Sequence, residues 1–324
     1  MLDHSKRLQI ITTLADGQFH SGQKLGEILG VSRAAVNKQI QGLKEWGIDI
    51  YRVQGKGYQL SRPMELLEAH KLNCGSVPVE LIPVIDSTNQ YIKDRAETLQ
   101  SGHACVAELQ LAGRGRRGRA WYSPFGCNLY LSLYWRLEAG LAAAMGLSLA
   151  VGIIAAETLR EQTGADVRVK WPNDLYVNDK KLAGILVELS GQAGETAHVI
   201  VGMGINMAMP TDIDTPIDQP WTSVADVGQN MPSRNELLAS LIERLREGLA
   251  HYEREGLAAF TSRWNLLDNY IDRRVTLIIG PNTVSGIARG INEQGALLLE
   301  NENGDITPYI GGEISLRGND AVTD

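Results

Sequence analysis

The chain has 324 residues, 44% of them hydrophobic and 21% charged, with a formal net charge of −7. That length accommodates two or three domains, and that composition excludes a disordered or collagen-like chain. Three widely spaced cysteines, Cys74, Cys105 and Cys127, form no CxxC pair, which points to neither a disulfide framework nor a zinc site and fits a reducing cytoplasm.

The first residues, MLDHSKRLQI, carry no signal-peptide pattern. Residues 1–62 hold nine Lys/Arg against five Asp/Glu, a balance of +4, which leaves 22 against 33, or −11, for the remainder. Nucleic acid, if bound, is therefore expected to meet the first 62 residues. In KRLQIITTLA, Leu8, Ile11 and Leu14 share a helical stripe. The segment HSGQKLGEILGVSRAAVNKQIQGLKEWG predicts two helices and a tight turn. Ser21 and Ser32 are the caps, Gly30 is the turn, and Leu25, Ile28 and Leu29 face inward on the first helix. On the second, Val36, Ile40 and Leu43 face inward. Ser32, Arg33, Ala34, Asn37, Lys38, Gln41 and Lys44 form the opposite face, with donors for phosphates and amides that read base edges. VQGKGYQL predicts a hairpin tipped by Lys56, the wing of a winged helix-turn-helix. A small helical domain with merely solvated charges is the alternative.

After Pro63 a linker helix leads into a second domain. PVIDSTNQYIKD reads as a strand ending at Ser87, Thr88 and Asn89, where either a helix cap or ligand contacts are expected. GRGRRGRAWYSPFG then places four arginines in seven residues. Gly113, Gly115 and Gly118 match GxGxxG, but Pro124 and Gly126 exclude the following helix that a dinucleotide fold requires, so no nicotinamide or flavin is expected. The loop instead offers anion donors, with Trp121 as an apolar lid; a solvated turn is the bland reading. The uncharged run at 140–156 is too short for a membrane span and predicts a buried helix.

VRVKWPNDLYVNDKKLAGILVEL predicts a strand, a turn through Pro172, and a hairpin at Asn178–Asp179 leading to a buried strand. It presents Lys170, Asn173, Asp174, Lys180 and Lys181, although paired lysines on hairpins are often only solvated. HVIVGMGINM is a buried strand tipped by Asn206, and Trp221 stands on the Pro- and Asp-rich segment that follows. No Ser-His-Asp or Cys-His arrangement emerges, so the chemistry expected is electrostatic, around a phosphate, with Asp174 as the candidate magnesium ligand. Residues 235–264 are strongly helical in pattern, and from Arg274 short apolar runs between turns predict a small β-barrel. The fold expected is α+β and multidomain: a winged helix-turn-helix over 1–62, a mixed α/β domain over 63–270 and a barrel over 271–324.

SGQKLGEILGVSRAAVNKQI, DSTNQYI, QLAGRGRRGRAWYSPFG, KWPNDLYVNDKKLAGILVEL, GMGINM and GGEISLR together resemble the enterobacterial family of bifunctional biotin–protein ligases and biotin operon repressors, from about residue 8 to residue 317. The resemblance implies a class II synthetase-like central sheet with helices and an SH3-like C-terminal barrel. It implies that biotin's carboxylate attacks the α-phosphate of ATP with magnesium, and that the adenylate then acylates a lysine of the biotin carboxyl carrier protein of acetyl-CoA carboxylase. Biotin would touch Ser87, Thr88, Asn89, Gln110, Arg114, Gly115, Arg116 and Lys181. Arg116, Lys170 and Lys181 would handle phosphate and carboxylate, and Asp174 magnesium. Arg119 would order the loop, Asn173 and Asn206 would lie on the nucleotide side, Trp121 and Trp221 would enclose the adenylate, and Arg317 would reach it from the barrel. No tightly bound metal and no membrane partner is implied. With adenylate bound, the chain would form a homodimer through the central sheet edge and occupy a palindromic operator. A ligase without operator binding, a ligand-sensing repressor without catalysis and a lipoate ligase are the alternatives.

Overall fold

The computed structural model describes residues 3–72, 75–192, 194–209, 217–310 and 314–318, the last stretch as backbone only. Helices α1 (Ser5–Leu14), α2 (Gly22–Leu29) and α3 (Arg33–Leu43) precede a hairpin of β1 (Ile50–Val53) and β2 (Gly57–Leu60). Ser21 caps α2 by accepting from Lys24 N, Ser32 caps α3 by accepting from Ala35 N, and Gly30 takes a left-handed φ of 62°. Only a residue without Cβ turns so tightly at low cost. Leu14, Leu25, Val36 and Leu43 are fully buried. Ile28, expected to face inward, is 41% exposed, because α2 is only two turns long and Leu25 and Gly26 already fill its buried face.

The stretch from Pro63 to Glu68 has no regular secondary structure, and the expected linker helix is only α4 (Ala69–Leu72). Glu65 anchors this stretch: its carboxylate accepts from Ser233 Oγ at 2.5 Å, Arg234 N at 2.7 Å and Asn235 Nδ2 at 2.8 Å. Next come β3 (Val79–Leu81), β4 (Val84–Ile85), α5 (Thr88–Lys93), β5 (Ala104–Ala107), β6 (Leu109–Gln110) and β7 (Asn128–Leu137). Helix α6 (Leu147–Thr163) is buried as its apolar run requires, but it starts later than expected. Gly140 and Gly146, at φ 77° and 79°, set off a single 3-10 turn ahead of it and leave Met145 55% exposed. Among the described residues no helix is long and apolar enough to cross a membrane.

Strands β8 (Arg168–Lys170), β9 (Asp174–Val177), β10 (Lys180–Ser190) and β11 (Ala197–Asn206) complete a seven-stranded mixed sheet of order β3-β5-β7-β11-β10-β9-β8. The β9–β10 turn holds Asn178 and Asp179 at φ 50° and 59°, the left-handed pair of a tight hairpin. After α7 (Val224–Val227), the helical stretch divides at Gly256, φ 68°, into α8 (Arg234–Glu255) and α9 (Ala258–Leu267). Helices α6, α8 and α9 pack with the sheet in one large core that also takes in Val275, Leu277 and Leu297 of the C-terminal part. That part is a five-stranded antiparallel sheet, β15-β14-β13-β12-β16, made from β12 (Arg274–Ile279), β13 (Asn282–Ile291), β14 (Leu297–Glu300), β15 (Ile306–Tyr309) and β16 (Ile314–Gly318).

Two contacts tie the parts together near the arginine loop. Trp46, just after α3, stacks on Phe125 with centroids 5.6 Å apart, and Phe125 N donates to Trp46 O at 2.8 Å. Leu109 and Phe125 thereby join the winged helix's own core. At the other end, the Trp171 indole donates to Gly295 O at 3.1 Å.

Candidate active site

A cavity of about 680 Å³ opens on one face of the central sheet. Its floor follows from strand register. Gly184 of β10 pairs with Gly204 of β11, and Leu186 with Gly202. Residues two apart in a strand share a face, so these positions form one smooth patch. Trp121 of the arginine loop lies on it: a Cβ at Gly204 would come 2.3 Å from the indole Nε1, and one at Gly184 2.9 Å from its Cζ3. That Nε1 is buried and has no hydrogen-bond partner among the described residues.

One wall is the start of α5. Ser87 Oγ accepts from Gln90 N at 3.4 Å, so the expected cap and the expected ligand position are the same residue. Gln110 Oε1 accepts from Thr88 N at 3.0 Å, and its amide donates to Ser123 Oγ at 3.2 Å. Ser132 Oγ donates to Asn89 Oδ1 at 2.5 Å and stands 2.7 Å from Thr88 Oγ1. Gly202 is required here, because a Cβ would fall 2.2 Å from Asn89 Oδ1.

The opposite wall carries charge. Lys181 Nζ is 3.0 Å from Asp174 Oδ1 and lies 5.5 Å from the Trp121 ring centroid. Arg116 donates to Asn173 Oδ1 at 2.9 Å, and the Asn173 amide donates to Ile185 O at 2.5 Å. Burial pulls the Arg116 guanidinium below its ordinary pKa against the opposing charge of Asp174; guanidinium stays protonated all the same. The segment carrying Trp221 is stitched to β10: Lys181 N donates to Pro220 O at 3.0 Å and Thr222 N to Lys181 O at 2.9 Å. Asn206 Nδ2 donates to Thr222 O at 3.1 Å.

Of the residues singled out from sequence, Ser87, Thr88, Asn89, Gln110, Arg114, Gly115, Arg116, Arg119, Trp121, Asn173, Asp174, Lys181, Asn206 and Trp221 all line this cavity. The Arg119 carbonyl accepts from Gly115 N at 2.7 Å. Lys170 is not on the wall; its ammonium donates to Tyr176 Oη at 2.9 Å. Arg317 pairs with Thr276 across β16 and β12, and its side chain lies outside the described residues. Sequence reasoning missed Ser123 and the floor glycines 184, 202 and 204, together with Glu45, Trp46 and Gly47 at the cavity's mouth. Ser132, behind the wall, was missed too. Gly47 approaches so closely that a Cβ would meet Pro124 Cβ at 2.8 Å.

On the N-terminal module, Ser32, Arg33, Ala34, Lys38, Gln41 and Lys44 are exposed along α3, Asn37 is half-buried, and Lys56 is exposed at the hairpin tip. Tyr58 Oη donates to Asn37 Oδ1 at 3.4 Å. The polar residues expected to meet nucleic acid are thus exposed, apart from the half-buried Asn37.

Residues 81–206 match the biotin/lipoate A/B protein ligase family, residues 6–59 a helix-turn-helix domain, and residues 270–317 the biotin protein ligase C-terminal domain. The chain is 56% identical over 321 residues to the bifunctional ligase/repressor BirA of Escherichia coli, covering 98% of this chain and 99% of that one. Its identity to the Salmonella typhimurium protein of the same name is 57% over 319 residues, covering 98% and 99%. Among solved structures, the biotin protein ligase of Aquifex aeolicus in complex with biotin and ATP aligns with a TM-score of 0.65 at 31% identity, covering 74% of this chain and 99% of that one. The glycine-floored cavity, its cationic wall and the three matched regions together place this chain in the biotin protein ligase family, with the full-length organisation of its bifunctional ligase/repressor members.

Proposed function

We propose that the chain is an ATP-dependent biotin–protein ligase that also represses transcription. The carrying observation is the convergence of Arg116 and Lys181 beside a smooth, largely apolar floor. A carboxylate is a poor acyl donor. It becomes a good one when its oxygen bonds to the α-phosphorus of ATP and the bond from that phosphorus to the bridging pyrophosphate oxygen breaks. Negative charge gathers at phosphorus in this step, and two half-buried cations stabilise it. A lysine amine of the biotin carboxyl carrier protein then attacks the acyl carbon of biotinyl-5′-AMP. It forms the amide, releases AMP and loses a proton.

Asp174 supplies one carboxylate, already paired with Lys181. A single carboxylate fits a magnesium ion carried mainly by ATP phosphates and water, and does not make a dedicated metal cage. Such an ion adds positive charge at the phosphate oxygens. Ser87, Thr88, Asn89, Gln110, Arg114 and Gly115 hold biotin, and Trp121, Trp221, Asn173 and Asn206 enclose the adenylate. Arg119 orders the loop. Lys170, held by Tyr176, acts from behind the wall.

Beyond Gly184, β10 pairs with β11 on one side and with no strand on the other among the described residues. Leu189 there is 43% exposed. An open edge of this kind is ready to pair with a second copy, which supports an adenylate-linked homodimer presenting two winged helices to a palindromic operator. The test combines carrier protein, ATP, magnesium and biotin with the purified chain. The expected result is one biotin added to one carrier lysine and, without carrier, a biotin- and ATP-dependent shift of operator DNA. An unmodified carrier together with ligand-independent DNA binding contradicts the proposal.

A further inference from the structure

Glu188 sits at the far end of the cavity floor. It follows Gly184 and Leu186 on the same face of β10 and stands opposite Ile200 of β11. Its carboxylate gathers donors from two elements that carry functional residues. From α5, Asn89 Nδ2 donates to Oε2 at 2.9 Å and Lys93 Nζ to Oε1 at 3.3 Å. From the arginine loop, Arg114 Nη2 stands 4.0 Å from Oε2. The same Arg114 nitrogen donates to Gln90 Oε1 at 2.9 Å, so the loop's first turn is latched to α5 at this point. Asn89 is in turn held by Ser132, and the glycine at 202 leaves it room.

Glu188 also lies on the stretch of β10 that, among the described residues, no strand covers on its outer side, next to the exposed Leu189. One partly buried carboxylate therefore touches the ligand wall, the phosphate loop and the open sheet edge. A charge-assisted hydrogen bond holds each partner more firmly than a neutral one, and a group shared by three elements transmits a change in one to the others.

We propose that Glu188 is a positioning residue that latches the arginine loop to α5 and couples that latch to pairing at the open end of β10. The proposal rests on the ligase and dimer reading. Ligand held by Asn89 and Arg114 steadies the donors gathered on Glu188, and the edge that carries Glu188 responds.

The test compares the full-length wild type with Glu188→Gln, which keeps the shape and an acceptor for Asn89 but loses the charge. Lys93→Gln is the second variant, because it weakens the same junction from the exposed side and leaves the floor untouched. Biotin-dependent pyrophosphate exchange gives KM and kcat, and sedimentation velocity with biotin and ATP gives the dimer constant. For Glu188→Gln the expected result is a KM for biotin raised about tenfold with kcat changed by less than about threefold, and a dimer weakened by about tenfold, as loss of a charge-assisted bond implies. Lys93→Gln should move both quantities in the same direction by less. Unchanged KM and dimerisation in a folded Glu188→Gln protein overturn the proposal, as does a change in KM without one in dimerisation. A wild type that shows no biotin-dependent exchange overturns the ligase reading instead, and the two failures are thus distinguished.

Discussion

Trp121 rests on Gly204: a Cβ at that glycine would lie 2.3 Å from the indole Nε1 and 2.4 Å from Cε2. The ring covers the floor of the cavity, and its N–H has no partner among the described residues. Gly204→Ala is therefore expected to lift Trp121 off the sheet. Overpacking of this kind costs about 1–3 kcal/mol, so biotin should bind about tenfold more weakly or worse. Tryptophan emission and equilibrium binding check this together. Unshifted emission with wild-type affinity contradicts the arrangement.

Arg116 and Lys181 face the same space from two elements, the arginine loop and the start of β10. Removing one preorganised charge-stabilising donor costs about 10²–10³ in kcat. Arg116→Ala and Lys181→Ala are each expected to slow adenylate formation by that amount in single-turnover experiments. Near-normal turnover in either variant removes it from the chemistry.

Much of this arrangement was legible in the sequence, for stated reasons. Gly30 and the caps Ser21 and Ser32 fix the helix-turn-helix locally, and Asn178–Asp179 fix the hairpin that carries Lys181. Local signals reached no further than neighbouring residues. The pairing of Gly184 with Gly204 depends on a register between strands and on which face the loop covers, so two glycines in separate motifs gave no sign of forming one floor. Ser132 looks like any alternating strand residue until α5 packs above it. Trp46 and Gly47 reach the cavity mouth only because one domain docks on the loop of another. Lys170 belongs to a motif with Asn173 and Asp174, yet Tyr176 draws its ammonium away from the wall.

Asp268 joins α9 to the C-terminal sheet, and its carboxylate accepts from Tyr270 N at 2.9 Å and from the Trp264 indole at 3.3 Å. Burial pushes it up to about 6 from an ordinary value of 3.8, with those two donors opposing. Between these values the folded chain holds a proton that the unfolded chain has lost. Its contribution to stability is therefore complete below about pH 4 and disappears as pH rises through about 6. Asp268→Asn stays neutral throughout. Its stability relative to wild type should rise between pH 4 and 6 by up to about 3 kcal/mol. Denaturant titrations across that range check this, and a pH-independent difference contradicts it.

Lys38 is exposed on α3, and an ammonium there would meet phosphate without reading a base. Lys38→Ala is expected to weaken binding to operator and unrelated DNA alike, and to lower the salt-dependence slope by about one. Titrations at several salt concentrations measure the slope. A loss confined to operator DNA would assign Lys38 to base readout.

Whether the cationic wall serves adenylation of biotin is decided by ATP–pyrophosphate exchange measured with magnesium and with no acid, with biotin or with lipoate. The expected result is exchange with biotin and with neither of the other two. Exchange driven by lipoate would keep the fold and change the substrate, and no exchange with either acid would contradict adenylation chemistry at this site.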